Sequence, residues 1–195
     1  MSSPDVKGDL HDYLRGARET LVWKLDGLGE YDIRRPLTST GTNLLGLVTH
    51  NAGTHLRYFG DVFGRTPDVS LPWASDDAEP NADLWAKPEE TREDILTLYR
   101  RTWELADATI DGLPLDALAW VPWWGRSLTL HQVLVHVTSE TQRHAGHADI
   151  IRELIDGAAG LLHGHDNLRI DDSTAWRRFR DQIEDAARLA NGPAL

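Results

Sequence analysis

The chain has 195 residues, a formal net charge of −11 and no cysteine. This length suits one domain with a short extension, and without cysteine there is no disulfide, thiolate metal site or protein thiol nucleophile. The negative charge argues against nucleic acid and anionic membrane surfaces as partners, because a phosphate-rich surface requires a basic footprint. With no signal-peptide core and no run near the ~18 apolar residues of a membrane span, the sequence predicts a cytoplasmic protein.

Apolar residues recur at helical spacing in five segments. They predict helices over about residues 6–28, 42–63, 88–110 or 91–110, 129–156 and 174–189. Gly29 and Gly157 follow the first and the fourth of these segments, as is typical of helix ends. The pattern predicts an all-α protein, with a four-helix bundle and a long second connection over residues 1–160. Residues 161–195 form a predicted C-terminal extension whose short helix packs on the bundle.

The two long connections carry tryptophans. Residues 64–88 form an acidic connection with Trp73 and Trp85, and loops of this length in compact domains are often functional. Residues 111–128 hold three more, Trp120, Trp123 and Trp124. These three are interpreted either as an apolar plug over one end of the bundle or as the wall of a binding pocket.

The fourth predicted helix has charged residues on its apolar face. At about 100° per residue, Glu140 lies at the centre of an apolar stripe that also includes His136, His144 and His147. A carboxylate in such a stripe needs a partner, because desolvating an unpaired charge costs several kcal/mol. An arginine, a protonated histidine or a metal ion would meet this need. Arg143, at the edge of the stripe, makes a purely structural ion-pair network the alternative to a metal site.

Helix geometry limits which of these residues share one ion. His136 and His144 are about 12 Å apart along the helix axis, which is too far for two ligands at bond lengths of about 2.1 Å. Pairs at i,i+3 or i,i+4 spacing do face one point: His136 with Glu140, Glu140 with His144, and His144 with His147. Spacing alone leaves these three pairs open, and a third ligand must come from another helix.

Two histidines of the second predicted helix are candidates for that ligand. His55 lies at the edge of its apolar face, whereas His50 lies on the opposite side. Amphipathicity therefore favours His55 as the more buried residue. Gly46 and Gly53 lie on the side of His50 and permit a second helix to approach closely there, so the periodicity leaves the choice open.

Four stretches of the sequence resemble the DinB-like superfamily. They are WKLDGL (23–28), RRPL (34–37), LLGLVTHNAG (44–53) and ETQRHAGHADIIRELIDG (140–157). The nearest branch is a set of actinobacterial DinB-like proteins, some called mini-circle proteins, which are related to mycothiol-dependent maleylpyruvate isomerase. The resemblance extends over about residues 8–160, with the motifs in the family's order.

The resemblance implies a four-helix bundle that binds a divalent metal near one end. The ligands of the family are one histidine of the second helix and two residues of the last bundle helix. Glu140-Thr-Gln-Arg-His144 matches the Glu-x-x-x-His pattern of the mycothiol-dependent branch, and Leu47-Val-Thr-His50-Asn-Ala-Gly53 matches the context of its second-helix histidine. The implied ligands are His50, Glu140 and His144. Residues that would surround the ion or face a substrate are then His55, His136, Arg143, His147, Trp120, Trp123 and Trp124.

Two histidines and one glutamate with an open position are typical of a catalytic zinc site, and nickel, iron and manganese are alternatives. The resemblance implies that a small-molecule thiol such as mycothiol binds the metal as thiolate and attacks a small electrophile, in S-transfer or isomerisation. The lack of cysteine agrees with an imported nucleophile. Two alternatives are a hydrolase that uses metal-activated water and a non-catalytic DinB-like metal-binding or stress protein. The resemblance also implies a homodimer.

Overall fold

The computed structural model describes residues 5–65, 69–74, 78–166, 168–170 and 172–190. The chain divides into two compact units, Met1–Ala159 and Gly160–Leu195. The regular elements described in the first unit are α1 (Val6–Trp23), α2 (Glu30–Arg34), α3 (Leu44–His55), α4 (Arg92–Gly112), β1 (Leu118–Val121), β2 (Arg126–Thr129) and α5 (Leu130–Asp156). The second unit contains α6 (Ser173–Ala190), and its packing on the bundle remains a prediction. Among the described residues, no helix combines the length and apolarity needed to cross a membrane.

The predicted helical class is confirmed, and the structure adds one small two-stranded sheet that the sequence did not indicate. Part of the 111–128 connection forms an antiparallel hairpin of β1 and β2, in which Trp120 pairs with Ser127. The turn between the strands is a 3-10 segment, Pro122–Trp124, closed by Gly125 in the left-handed conformation. The buried side chains of the hairpin are Ala119, Val121 and Leu128. Strands of four residues are too short for alternation of apolar and polar residues to identify them.

Local capping explains where α3 and α5 begin and where α5 ends. Asn43 accepts a hydrogen bond from the Gly46 amide at 2.7 Å, which satisfies a free donor at the start of α3. Thr129 and Gln132 form a reciprocal capping box at the start of α5. Gly157 ends α5 in the left-handed conformation, and this predicted helix end is confirmed.

Two predicted helices end earlier than expected. The first ends at Trp23 rather than near Leu28, and the chain continues in tight turns to Gly27, which has a φ of 75°. The second is α-helical only to His55 and continues as a π-helical turn, Leu56–Gly60. A 3-10 turn, residues 61–63, then ends this segment.

The π-helical turn ends at a glycine that neighbouring elements approach closely. A Cβ at Gly60 would lie 3.0 Å from a Leu105 methyl group and 3.1 Å from the Arg65 carbonyl oxygen. π-Helical turns are rare and are frequent at functional sites. The turn includes Arg57 and Tyr58, two residues that follow His50 on the same helix.

The core of the first unit consists of two apolar clusters. α1 packs against α5, and α3 packs against both α4 and α5. One cluster includes Leu14 and Val137, and the other includes Leu21 and Ala148. Four polar side chains are also buried, at helix positions between the residues of the two clusters: Arg18, His55, Thr102 and Thr141. Because His55 lies in this buried layer, His50 is the α3 histidine that can contact residues outside the core.

Candidate metal centre

Three potential metal ligands converge where α3 packs on α5. His50, Glu140 and His144 each offer one donor atom, and these atoms all lie within 4.8 Å of one another. The Glu140 Oε2 and His144 Nε2 atoms are 3.4 Å apart, and the His50 and His144 ring centroids are 4.7 Å apart. Within the described residues this is the one group of three such side chains at this separation. The i,i+4 pair and the second-helix histidine implied by the resemblance therefore meet.

Glu140 is less buried than its position in the sequence indicated. The buried face of α5 contains Val137, Thr141, Ala145 and Ala148, whereas the apolar residues Ile150 and Leu154 are exposed. The Glu140 side chain is 37% exposed and borders a cavity. Its partial hydration means that no charged partner is required to compensate a full desolvation cost.

His144 has the protonation state that a metal ligand requires. Burial, reinforced by the neighbouring His50, lowers the pKa of His144 to about 4, although Glu140 acts in the opposite direction. The imidazole is therefore neutral at physiological pH and keeps a lone pair. The buried Nδ1 atom of His144 has no hydrogen-bond partner among the described residues. A buried polar atom left without a partner is uncommon and requires an explanation.

His50 is held by a residue that the sequence analysis did not identify. Its Nδ1 atom lies 2.6 Å from Oδ2 of Asp83, which belongs to the 3-10 turn Ala82–Leu84 in the acidic connection. A carboxylate behind a histidine is a common arrangement around metal ligands. The only signal in the sequence was the acidic composition of residues 64–88, and this does not distinguish one carboxylate from another.

His55 occupies a different environment, inside the core. It is completely buried, so the burial predicted from amphipathicity is confirmed. Its Nε2 accepts a hydrogen bond from Nε of Arg18 at 3.2 Å, and its Nδ1 donates to the Asn51 carbonyl at 2.7 Å. Burial and the adjacent Arg18 charge place the pKa of His55 well below its ordinary value. Both ring nitrogens are engaged, so the structure does not bring His55 into the three-residue cluster.

A cavity of about 410 Å³ opens beside the cluster and is bordered by His50, Asp83 and Glu140. Its aromatic walls are Tyr58, Trp73, Trp123 and Trp124. Trp123 Nε1 donates a hydrogen bond to the Tyr58 hydroxyl at 3.0 Å. The 111–128 connection therefore contributes two of its tryptophans to a pocket wall, whereas Trp120 is 56% exposed and does not line this cavity.

The other predicted substrate-facing residues separate into two groups. His136 lines the cavity and packs on Tyr58 and Trp124, with ring centroids 4.8 and 4.6 Å away. Burial lowers its pKa, against the opposing effect of Glu140. His147 and Arg143 are exposed on α5. His147 lies beside His144 and lines with it a second, smaller cavity of about 220 Å³.

Two arginines on the helices that carry the cluster residues differ in their placement. Arg57 lines the large cavity and lies over the Trp123 ring, with 5.9 Å from its Cζ to the ring centroid. Neither Arg57 nor Arg143 forms an ion pair within the part of the chain that the structure describes. Arg143 therefore does not provide the structural partner for Glu140 that the sequence left open, and Arg57 is the arginine that faces the cavity.

In a mostly helical protein, two imidazoles and one carboxylate meet at a cavity and form a candidate metal centre. The family model described as mycothiol-S-transferase matches residues 9–157. The chain belongs to this family, which is DinB-like.

Other known proteins add evidence on the fold alone. The crystal structure of a conserved protein of a locus from Enterococcus faecalis is 15% identical in sequence and superposes with a TM-score of 0.62. The match covers 80% of this chain and 100% of that chain. No curated protein matches the sequence.

Proposed function

We propose that this protein is a divalent-metal-dependent thiol S-transferase that acts on a small electrophile. The observation that carries the proposal is the convergence of His50, Glu140 and His144 at the edge of an aromatic cavity. Family membership supports mycothiol as the thiol. The proposal includes the DinB-like arrangement of α1, α3, α4 and α5 as a four-helix bundle, a cytoplasmic location and a homodimer.

The residues of the cluster fit a divalent ion, zinc in the first place. The donor set combines two imidazoles with one carboxylate, as zinc prefers, and leaves room for a further ligand. The carboxylate behind His50 supports the assignment. Nickel, iron and manganese accept the same ligand types. A bound ion would supply the charge that stabilises the deprotonated form of a thiol at neutral pH.

The surrounding residues would bind and orient the electrophile. Tyr58, Trp123 and Trp124 offer aromatic surface that excludes water from one side of the cavity. Arg57 offers a guanidinium at the same cavity, suited to a carboxylate or another anionic group. With no cysteine in the chain, the nucleophilic sulfur comes from the small-molecule thiol. In S-transfer this sulfur forms a bond to the electrophilic carbon as the leaving group departs.

Thiol-dependent turnover tests the proposal. Metal-loaded protein, mycothiol and 1-chloro-2,4-dinitrobenzene are expected to give the S-aryl conjugate and chloride, detected by mass spectrometry. Protein stripped with 1,10-phenanthroline and the Glu140→Gln variant should give only the uncatalysed rate, because the thiol then lacks the charge that stabilises its deprotonated form. Hydrolysis of an activated ester without any thiol would instead support the hydrolase. If both reactions continued after the metal is removed, both metal-dependent functions would be contradicted.

Arg57→Ala is expected to weaken binding of an anionic electrophile. Loss of one charge-assisted hydrogen bond at an exposed site should raise KM about tenfold, with little change for a neutral electrophile of the same shape. The measurement is a comparison of KM and kcat for the two substrates, with metal content as a second readout. Arg143→Ala is the matched control, since Arg143 does not line the large cavity. Equal effects of both variants would exclude a specific role for Arg57.

A further inference from the structure

We infer that Asp83 is a positioning residue, which orients His50 and selects its tautomer for metal binding. The inference rests on the proposed metal centre and assigns a role to the acidic connection that neither the family match nor the ligand set provides. Asp83 lies 33 positions from His50 along the chain. Its contribution therefore depends on how the 3-10 turn Ala82–Leu84 is held against α3.

The short contact between the two side chains determines the tautomer. Asp83 Oδ2 lies 2.6 Å from His50 Nδ1, and an ionised carboxylate only accepts hydrogen bonds. The proton of the neutral ring is therefore on Nδ1, and the Nε2 lone pair is left free. A carboxylate in this position also fixes the ring orientation and increases the basicity of the ligand.

The backbone of the Asp83 turn is attached to the first turns of α3. Thr49 Oγ1 donates a hydrogen bond to the Asp83 carbonyl at 2.6 Å, and Asn43 Nδ2 donates to the Leu84 carbonyl at 3.1 Å. Asn43 is also the N-cap of α3. The same helix that carries His50 therefore also holds the residue that orients it.

A glycine permits this close attachment. A Cβ placed on Gly46 would lie 1.9 Å from the Leu84 carbonyl oxygen and 2.9 Å from Asn43 Nδ2. Backbone at this separation has to move when a side chain is added. Glycine is unfavourable inside a helix, so its presence near the start of α3 is explained by the approach of the loop rather than by helix formation.

An ordinary surface ion pair is the competing explanation. The His50 and Asp83 side chains are 28% and 35% exposed, and pairs of this kind often contribute little to stability. Such a pair would leave metal affinity and the His50 tautomer unchanged when Asp83 is removed. A positioning role changes both, and the two explanations therefore give different results.

The first experiment compares Asp83→Ala and Asp83→Asn with wild type in Zn²⁺ competition against a chromophoric chelator. Removing a carboxylate behind a metal-bound histidine is expected to raise the Zn²⁺ Kd about 10- to 100-fold. Asp83→Asn should have a smaller effect, because the amide oxygen still accepts a hydrogen bond. Glu79→Gln is the matched control, since Glu79 is an exposed acidic residue of the same connection and should retain the wild-type Kd.

The second experiment needs no metal. Long-range ¹H–¹⁵N spectra of the metal-free protein report which ring nitrogen of His50 carries the proton. The proton is expected on Nδ1 in wild type and largely on Nε2 in Asp83→Ala. The Co²⁺ absorption spectrum of each loaded variant provides an additional readout of ligand geometry.

Gly46→Ala tests the attachment of the loop without changing any side chain of the cluster. The added methyl group should displace the Asp83 turn and weaken Zn²⁺ binding about as much as Asp83→Ala, roughly tenfold or more. Gly16→Ala in α1 is the matched control, because a Cβ there meets nothing within 4 Å, and its Zn²⁺ Kd should not change.

Unchanged Zn²⁺ affinity and an unchanged His50 tautomer in Asp83→Ala would overturn the inference. Failure of the proposed metal centre, on which the proposed function depends, has a different signature. Wild-type protein would then bind no Zn²⁺ at all, while the metal-free spectra would still establish whether Asp83 determines the tautomer of His50. A changed tautomer with wild-type Zn²⁺ affinity would overturn the role in metal binding.

Discussion

Replacing any one of His50, Glu140 and His144 is expected to abolish stable binding of a divalent ion by this protein. Each of the three side chains offers one donor atom, and the donors come from two helices. Loss of one donor leaves two, fewer than the three protein ligands that catalytic zinc sites use. Mass spectrometry of purified, untagged protein should give about one ion per chain for wild type and roughly a tenth of that or less for His50→Ala, Glu140→Gln and His144→Ala.

The control for these variants is another histidine of α5. His131 is exposed in the first turn of the helix, so His131→Ala should keep the wild-type metal content. Circular dichroism establishes that each variant is folded. Absence of metal from wild type even after reconstitution would contradict the metal centre, and so would full retention of metal in all three ligand variants.

Asp107→Ala is expected to lower the free energy of unfolding by about 3 kcal/mol. Asp107 Oδ1 accepts hydrogen bonds from Arg18 Nη1 at 2.6 Å and from His11 Nε2 at 2.8 Å. The Arg18 side chain is only 1% exposed, so loss of Asp107 leaves a buried guanidinium without its counter-ion. The 31% exposure of Asp107 places the expected effect at the low end of the range for buried pairs.

The pH dependence of this effect follows from the pKa of Asp107. Burial acts to raise this pKa, but hydrogen bonds from His11 and Arg18 outweigh burial, so the pKa lies below its ordinary value. A depressed carboxyl pKa contributes stability above the unfolded pKa of about 3.9 and loses it as the pH falls through the folded pKa. The difference between wild type and Asp107→Ala should therefore be complete at neutral pH and decrease below about pH 4.

Urea unfolding monitored by tryptophan fluorescence measures the effect. Asp111→Ala is the control, because Asp111 is 71% exposed and 3.8 Å from His11, and it should change the unfolding free energy by less than about 0.5 kcal/mol. Adding Arg18→Met to Asp107→Ala should restore part of the lost stability, because the uncompensated charge is removed. Equal stability of Asp107→Ala and Asp111→Ala would contradict the proposed role of the buried ion pair.

The helix ends that depend on neighbouring residues could be predicted from the sequence. Thr129 and Gln132 cap α5 through contacts three residues apart, and Gly157 ends it through its own backbone conformation. The π-helical turn Leu56–Gly60 could not be predicted, because Leu105 of α4, which approaches Gly60 most closely, is distant in sequence. The short strands of the hairpin were missed for a related reason, since their buried side chains are recognised only by the core they contact.

The candidate site shows the same division. The i,i+4 spacing of Glu140 and His144 results directly from helix geometry. Helix geometry could not choose between His50 and His55. Amphipathicity indicates which histidine is more buried, but that residue, His55, has both ring nitrogens engaged in hydrogen bonds. The resemblance to DinB-like proteins indicated His50, and the structure brings that residue to the pair on α5.

By itself, the sequence determined the helical class, the ends of α5, the pair of potential ligands on one helical face and the absence of a cysteine nucleophile. These properties depend on composition or on residues within one or two helical turns of each other. Only the tertiary structure decided the partner of that pair, the aromatic cavity beside it and the carboxylate of Asp83 behind His50. These contacts join residues tens of positions apart, and the packing of the whole core, rather than any local pattern, brings them within hydrogen-bonding distance.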